Sequence, residues 1–496
     1  MPAYQALVDH LRQTEYLESA NRLLGWDQQT YMPLGAAGAR AEQMATLAGL
    51  IHARRTDTQI GDWLAELEQA CLEPAADANL RCIRRDFEKQ RRLPQALVEA
   101  LTKATVAGQQ LWVEARKQDD FGMFLPQLEL IVGLLREKAD ASGFADERYD
   151  ALLDDYEPGA RTREVAPVLT QLAAALRPLI VRTQEAKGAV SNELLRRHYP
   201  AESQRDFGRL VAAQLGFDFE QGRIDVAAHP FCEGIAPGDC RITTRYDEQW
   251  FAGAFFGTLH EAGHGMYEQG LPADHFGEPL GQYLSLGMHE SQSRLWENMV
   301  GRSAEFWDHF FPTAARYFRE ALDGATSQQF FQAVNVVEPS LIRVEADEVT
   351  YNLHIVIRFE IERALIADDL RPGDLRDAWN EKYQQYLGIL PPDAKDGVLQ
   401  DVHWSAGLIG YFPTYALGNL YAAQMFEVVE QQVPDLRQQF AAGQFGELLT
   451  WLRHHLHAHG RRFQADELIQ QISGRPLEAA PLLNYLERKL QTVYGW

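Results

Sequence analysis

Cysteine is scarce in this chain. Four thiols, Cys71, Cys82, Cys232 and Cys240, are spread over 496 residues. They form no C-x-x-C pair and are too few for a disulfide framework. Cys232 and Cys240 are close enough in sequence to pair, but a cytoplasmic setting favours free thiols. Positive charge is also short: 47 Lys and Arg stand against 70 Asp and Glu, a net charge of −23. A nucleic-acid partner is therefore not expected, because phosphate-backbone binding needs Lys/Arg patches. No unbroken apolar run of about 18 residues is present, so no membrane span is expected. The first residues, MPAYQALVDHLRQTEYLES, lack both a basic region and an apolar core. No secretory leader is expected from them, and the expected location is the cytoplasm. Repeats, low-complexity tracts and Gly/Ser linkers are absent, so one folded unit is expected.

What is present is the composition of an ordinary globular protein, with 46% hydrophobic and 24% charged residues. Leu7, Leu11, Leu17 and Leu23 recur at helical spacing and predict a helix over 3–24. Similar patterns predict helices near 37–55, 78–117, 122–139 and 160–187. The texture changes over 219–247, where Gly and Pro cluster and Ile242-Thr243-Thr244-Arg245-Tyr246 alternates. Short strands are predicted there, and a sheet edge beside a cleft suits strand addition by an extended peptide. Helix resumes over 248–269, 281–300, 327–336, 338–366, 374–388, 406–432, 444–458 and 477–493. The expected fold is mostly α: a two-lobed helical body with a cleft and a small β-sheet just before residue 248. Its approximate sub-regions are 1–218, 219–247 and 248–496.

The densest chemical signal is His260-Glu261-Ala262-Gly263-His264, inside the apolar helical run Phe251–Gln269. Residues four apart share one helix face, so both imidazoles can aim at one atom. That spacing suits zinc, which takes histidine nitrogen at about 2.0–2.1 Å, and Glu261 is placed to act as general base on a zinc-bound water. Gly257, Gly263 and Gly265 weaken the helix and make sense where something crowds it. A catalytic zinc needs a third protein ligand. The segment 281–300 offers His289, Glu290 and Glu297. Glu290 is the first choice, because a helix-loop-helix connection can bring it back to the two histidines. His289 is less favoured, since adjacent helical residues point about 100° apart.

The motifs then run in a set order: His229-Pro230-Phe231; Asp239, Arg241 and Thr243; 260–264; His289-Glu290-Ser291-Gln292; Ile342, Arg343, Ala346 and Asp347; Gly397, Gln400, Asp401, His403 and Trp404. In this the chain resembles, over nearly its whole length, the carboxypeptidase Taq family of zinc metallocarboxypeptidases. The resemblance implies His260, His264 and Glu290 as ligands of one zinc per chain, and Glu261 as the catalytic residue. It also implies a zincin-like helical fold with a deep groove, a homodimer, and sequential release of C-terminal amino acids with broad specificity. It further implies that cobalt can replace zinc.

Other roles follow from chemistry. A tetrahedral oxyanion needs a donor besides the metal, and His403 and Tyr411 are the first candidates, with Tyr415 beside them. A free α-carboxylate is best held by arginine. Arg343 is the first choice, with Asp347 expected one helical turn later to orient it; Arg241 is second and Arg245 third. His229 is a candidate substrate contact. Asp239, Asp347 and Asp401 are candidate partners for these imidazoles and guanidinium groups. The rival expectation is a zinc oligopeptidase or endopeptidase on a similar scaffold.

Overall fold

The first 92 residues form a cap of four helices: α1 (Pro2–Thr30), α2 (Ala37–Arg55), α3 (Thr58–Glu66) and α4 (Pro74–Arg92). The cap has its own small core, where Leu7, Leu11, Ile60, Leu64, Ile83 and Phe87 meet. The computed structural model describes every residue of the chain except Lys187 and Ala189. The helix expected over 78–117 is two helices. Pro94 drives Leu93 out of the helical region, to φ −82° and ψ 121°, and α4 stops there.

Five helices follow: α5 (Gln95–Gln118), α6 (Phe121–Ser142), α7 (Arg148–Leu153), α8 (Thr162–Glu185) and α9 (Ala201–Leu215). Their buried side chains join one large core with the rest of the chain. The core division thus follows α4, whereas the expected sub-regions met at 218. Among the described residues α8 alone is long and apolar enough to cross a membrane, which the run-length reading did not anticipate. Its stripe of Val165, Leu169, Leu172, Leu176 and Ile180 is buried in the protein, as in a core helix.

The predicted small sheet has three strands, β1 (Gly222–Val226), β2 (Cys232–Ala236) and β3 (Asp239–Thr244). The order is β1-β3-β2, with β1 parallel and β2 antiparallel to β3. Cys232 and Cys240 sit on neighbouring strands as free thiols, their sulfurs 3.6 Å apart.

Helices then fill the rest: α10 (Phe251–Glu268), α11 (Leu286–Arg294), α12 (Ala304–Tyr317), α13 (Ser327–Ala333), α14 (Thr350–Ala367) and α15 (Leu375–Leu387). The last five are α16 (Pro413–Gln432), α17 (Leu436–Ala441), α18 (Gly446–His455), α19 (Ala465–Ser473) and α20 (Ala480–Tyr494). The helix expected over 338–366 begins only at Thr350, because the Asp347 carboxylate accepts the backbone N–H groups of Val349 and Thr350 at 2.9 and 3.0 Å. Helices α3, α7, α9, α12, α17 and α19 were not anticipated.

Candidate metal centre

A groove of about 1100 Å³ runs between the cap and the body. Its walls include Glu15 and Arg22 of α1, Lys89 of α4, Phe231, Cys232 and Glu233 at β2, and His260, Glu261, His264, Glu290, Tyr411 and Tyr415.

His260 and His264 project from successive turns of α10, and Glu290 reaches them from α11. The Nε2 atoms of the two histidines lie 3.6 and 3.5 Å from one oxygen, Glu290 Oε2. All three donor atoms fall within 4.8 Å of one another. Two imidazole nitrogens and one carboxylate oxygen are the donor types of a catalytic zinc site, which keeps its fourth position open. Electrostatics favour ligation. Burial, helped by His289, pulls the His264 imidazole down to about 3, so its lone pair is free. Burial disfavours a charged Glu290, but Arg294 and His260 overcome it and hold the carboxyl far below its usual range.

Close packing explains two glycines. A Cβ on Gly263 would lie 2.6 Å from the carbonyl oxygen of Gln292, so α10 and α11 touch backbone to backbone. A Cβ on Gly418 of α16 would lie 2.5 Å from Glu290 Cγ. Gly257 has only ordinary contacts, the nearest at 3.9 Å.

After Arg294 the helix widens into a π-turn over Leu295–Val300. That turn sets Glu297 beside His260, with Oε2 2.9 Å from Nδ1. Glu297, an alternative third ligand in the sequence, therefore orients His260 and favours the tautomer that leaves Nε2 facing Glu290 without a proton. Arg294 clamps both acids, donating to Glu290 Oε1 at 2.7 Å and to Glu297 Oε2 at 3.1 Å. Sequence reasoning missed Arg294, although its spacing from Glu290 and Glu297 is that of one helix face. Glu261 lies on the groove wall. Burial raises its carboxyl to about 7, with Glu290 and Glu297 adding and His260 opposing.

Tyr411 and Tyr415 line the groove near this cluster. Burial pushes the Tyr411 phenol up to about 12. His403 is not on the groove wall; its Nε2 lies 3.2 Å from the Tyr415 hydroxyl, and burial pulls it down to about 4. Arg343 is also behind the wall, 5% exposed and 4.9 Å from the Tyr415 ring. It sits in a short 3₁₀ turn, not on a long helix, and Asp347 does not orient it. Asp401 does: Arg343 Nε donates to Asp401 Oδ1 at 3.0 Å, and Arg358 Nε to Oδ2 at 2.7 Å. Arg343 Nη1 also donates to the Tyr351 hydroxyl at 3.0 Å. The remaining candidates are elsewhere. Arg241 donates twice to Asp239 at 2.8 Å and stacks on Trp26. His229 and Arg245 are exposed. None of these three lines the groove.

The comparisons with known proteins agree with this geometry. The family model described as carboxypeptidase Taq (M32) metallopeptidase matches residues 6–490. Thermostable carboxypeptidase 1 of Thermus thermophilus is 48% identical over 99% of both chains. Carboxypeptidase 1 of Bacillus subtilis is 33% identical, over 98% of this chain and 97% of that one. The crystal structure of an M32 carboxypeptidase from Deinococcus radiodurans superposes with a TM-score of 0.98 at 41% identity, covering 100% of both chains. Matched along nearly its whole length in sequence and in fold, the chain belongs to the carboxypeptidase Taq (M32) family and is a metallocarboxypeptidase.

Proposed function

We propose that this metallocarboxypeptidase releases amino acids one at a time from the free C-terminus of peptides, with little side-chain selectivity. In this reading His260, His264 and Glu290 hold one zinc ion, for which cobalt can substitute, and Glu261 is the general base. The observation that carries it is the convergence of those three donor atoms on a groove wall that also bears the buried Glu261. A zinc ion held by these three residues would supply a Lewis acid for the scissile carbonyl and a water of pKa about 7. Glu261, raised to about 7, takes a proton from the attacking water and passes it to the leaving amine. Tyr411 keeps its proton at neutral pH and donates to the carbonyl oxygen as charge develops there. His403 fixes the hydroxyl of Tyr415, a residue of the groove wall, from behind that wall. Arg343, stacked against Tyr415, supplies the positive charge that favours an α-carboxylate at this end of the groove. Arg241 and His229 receive no substrate contact in this reading. We place the enzyme in the cytoplasm, as its few unpaired cysteines favour, and as a homodimer, as the family resemblance implies.

Glu261→Gln tests the base. The variant should keep one zinc per chain and lose about 10²–10⁴-fold in kcat. Metal content by atomic absorption and turnover of a short peptide measure the two effects. Undiminished turnover would remove Glu261 from this role.

A further inference from the structure

The two histidines that face Glu290 are steered by different means. His260 has Glu297 on its Nδ1 at 2.9 Å. His264 Nδ1 is buried, and no protein group hydrogen-bonds to it. The His264 ring instead lies against His289, with centroids 4.3 Å apart and planes only 15° from parallel. His289 is itself anchored: its Nε2 is 2.9 Å from Glu268 Oε1, and Tyr283 packs on it at 4.6 Å. Glu268 follows His264 by one turn of α10, and His289 precedes Glu290 on α11. The same two helices thus carry the ligands and this support.

We propose that His289, anchored by Glu268, is a positioning residue for His264. It fixes the plane of the His264 ring by stacking, as Glu297 fixes His260 by a hydrogen bond. The adjacency of His289 to Glu290, which argues against both side chains ligating one ion, is what puts His289 on the flank of α10. This proposal rests on the zinc assignment above.

The test uses the full chain loaded with zinc, and separately with cobalt(II), in three variants. Zinc affinity is read by competition with a chelating dye, and ligand geometry by the visible spectrum of the cobalt form. His289→Ala should weaken zinc binding about 10–100-fold and alter the cobalt spectrum. His289→Phe keeps a flat ring and should recover most of both. Glu268→Gln should fall between. His289→Ala with parent-like affinity and spectrum would overturn the proposal, as would His289→Phe as impaired as His289→Ala. If His289→Ala does not fold, His289→Phe decides: zinc affinity and cobalt spectrum near those of the parent support stacking, and loss of both overturns the proposal. A parent protein that binds no zinc would overturn the metal assignment, and this proposal with it. A parent that binds one zinc, beside an unaffected His289→Ala, overturns this proposal alone.

Discussion

Arg343 joins a structural charge network to a groove that must recognise a free carboxylate. It is buried against Asp401 and Tyr351, and it backs the Tyr415 ring. Arg343→Ala should lower kcat/KM about tenfold for peptides with a free C-terminus, by removing the positive charge behind Tyr415. Zinc content should stay the same, and steady-state kinetics with metal analysis check both. An unchanged kcat/KM would move the anchor to a guanidinium that lines the groove. Glu362 carries a second residue-scale prediction. Its carboxyl accepts from Tyr149, Trp404 and Gly410 at 2.6, 2.9 and 3.0 Å, tying the 401–412 loop to α14. Burial raises it to about 7 despite those bonds. A carboxyl raised in the folded state binds its proton more tightly there than in the unfolded chain. Its stabilising effect is complete below the unfolded value of about 4.3 and is lost as pH rises through 7. Thermal melts should therefore show the parent losing stability between pH 5 and 8 more steeply than Glu362→Gln. The convergence of His260 and His264 with Glu290 was legible, because residues four apart share one helix face and a helix-loop-helix connection brings Glu290 back to them. For Arg343 the sequence left Asp401 as one of three candidate acids and favoured Asp347 instead, because Asp401 is 58 residues away and a helix was assumed around Arg343 that does not form.

At the scale of elements, α10 and α11 make the centre by touching. Gly263 permits that contact and Gly257 has no comparable duty. Gly263→Ala should cost about 1–3 kcal/mol through overpacking and weaken zinc binding by parting the helices. Gly257→Ala should stabilise by about 0.5–1 kcal/mol, because alanine restricts the unfolded chain and favours helix. Denaturant unfolding of both variants reads the opposite signs; matching signs would contradict the packing account. Most long helices and the small sheet were legible from periodicity and turn residues. Helix α12 was missed although Phe306, Phe310 and Ala314 sit four apart and are buried. The π-turn that positions Glu297 has no local signature, since it arises from packing against α10 and α16. Helix starts were misjudged where a side chain, as at Asp347, caps the backbone later in the chain than the apolar pattern suggests.

At the scale of the whole molecule, the groove exists because the cap packs its own small core and leaves α1 and α4 facing the metal helices. Ties between cap and body hold that geometry: Arg461 bridges to Asp86 of α4 at 2.8 Å, and Leu280 N–H donates to Asn79 at 3.0 Å. A cleft beside a helical metal site was legible in the sequence, but the place where the cores divide was not, because it depends on contacts between distant helices. The central claim is cleavage at a free C-terminus by this centre. A paired digestion with the zinc-loaded protein tests it most directly, using one peptide with a free C-terminus and its C-terminal amide, with products read by mass spectrometry. Stepwise loss of single residues from the free peptide alone is the predicted result; internal cleavage of both peptides would contradict it.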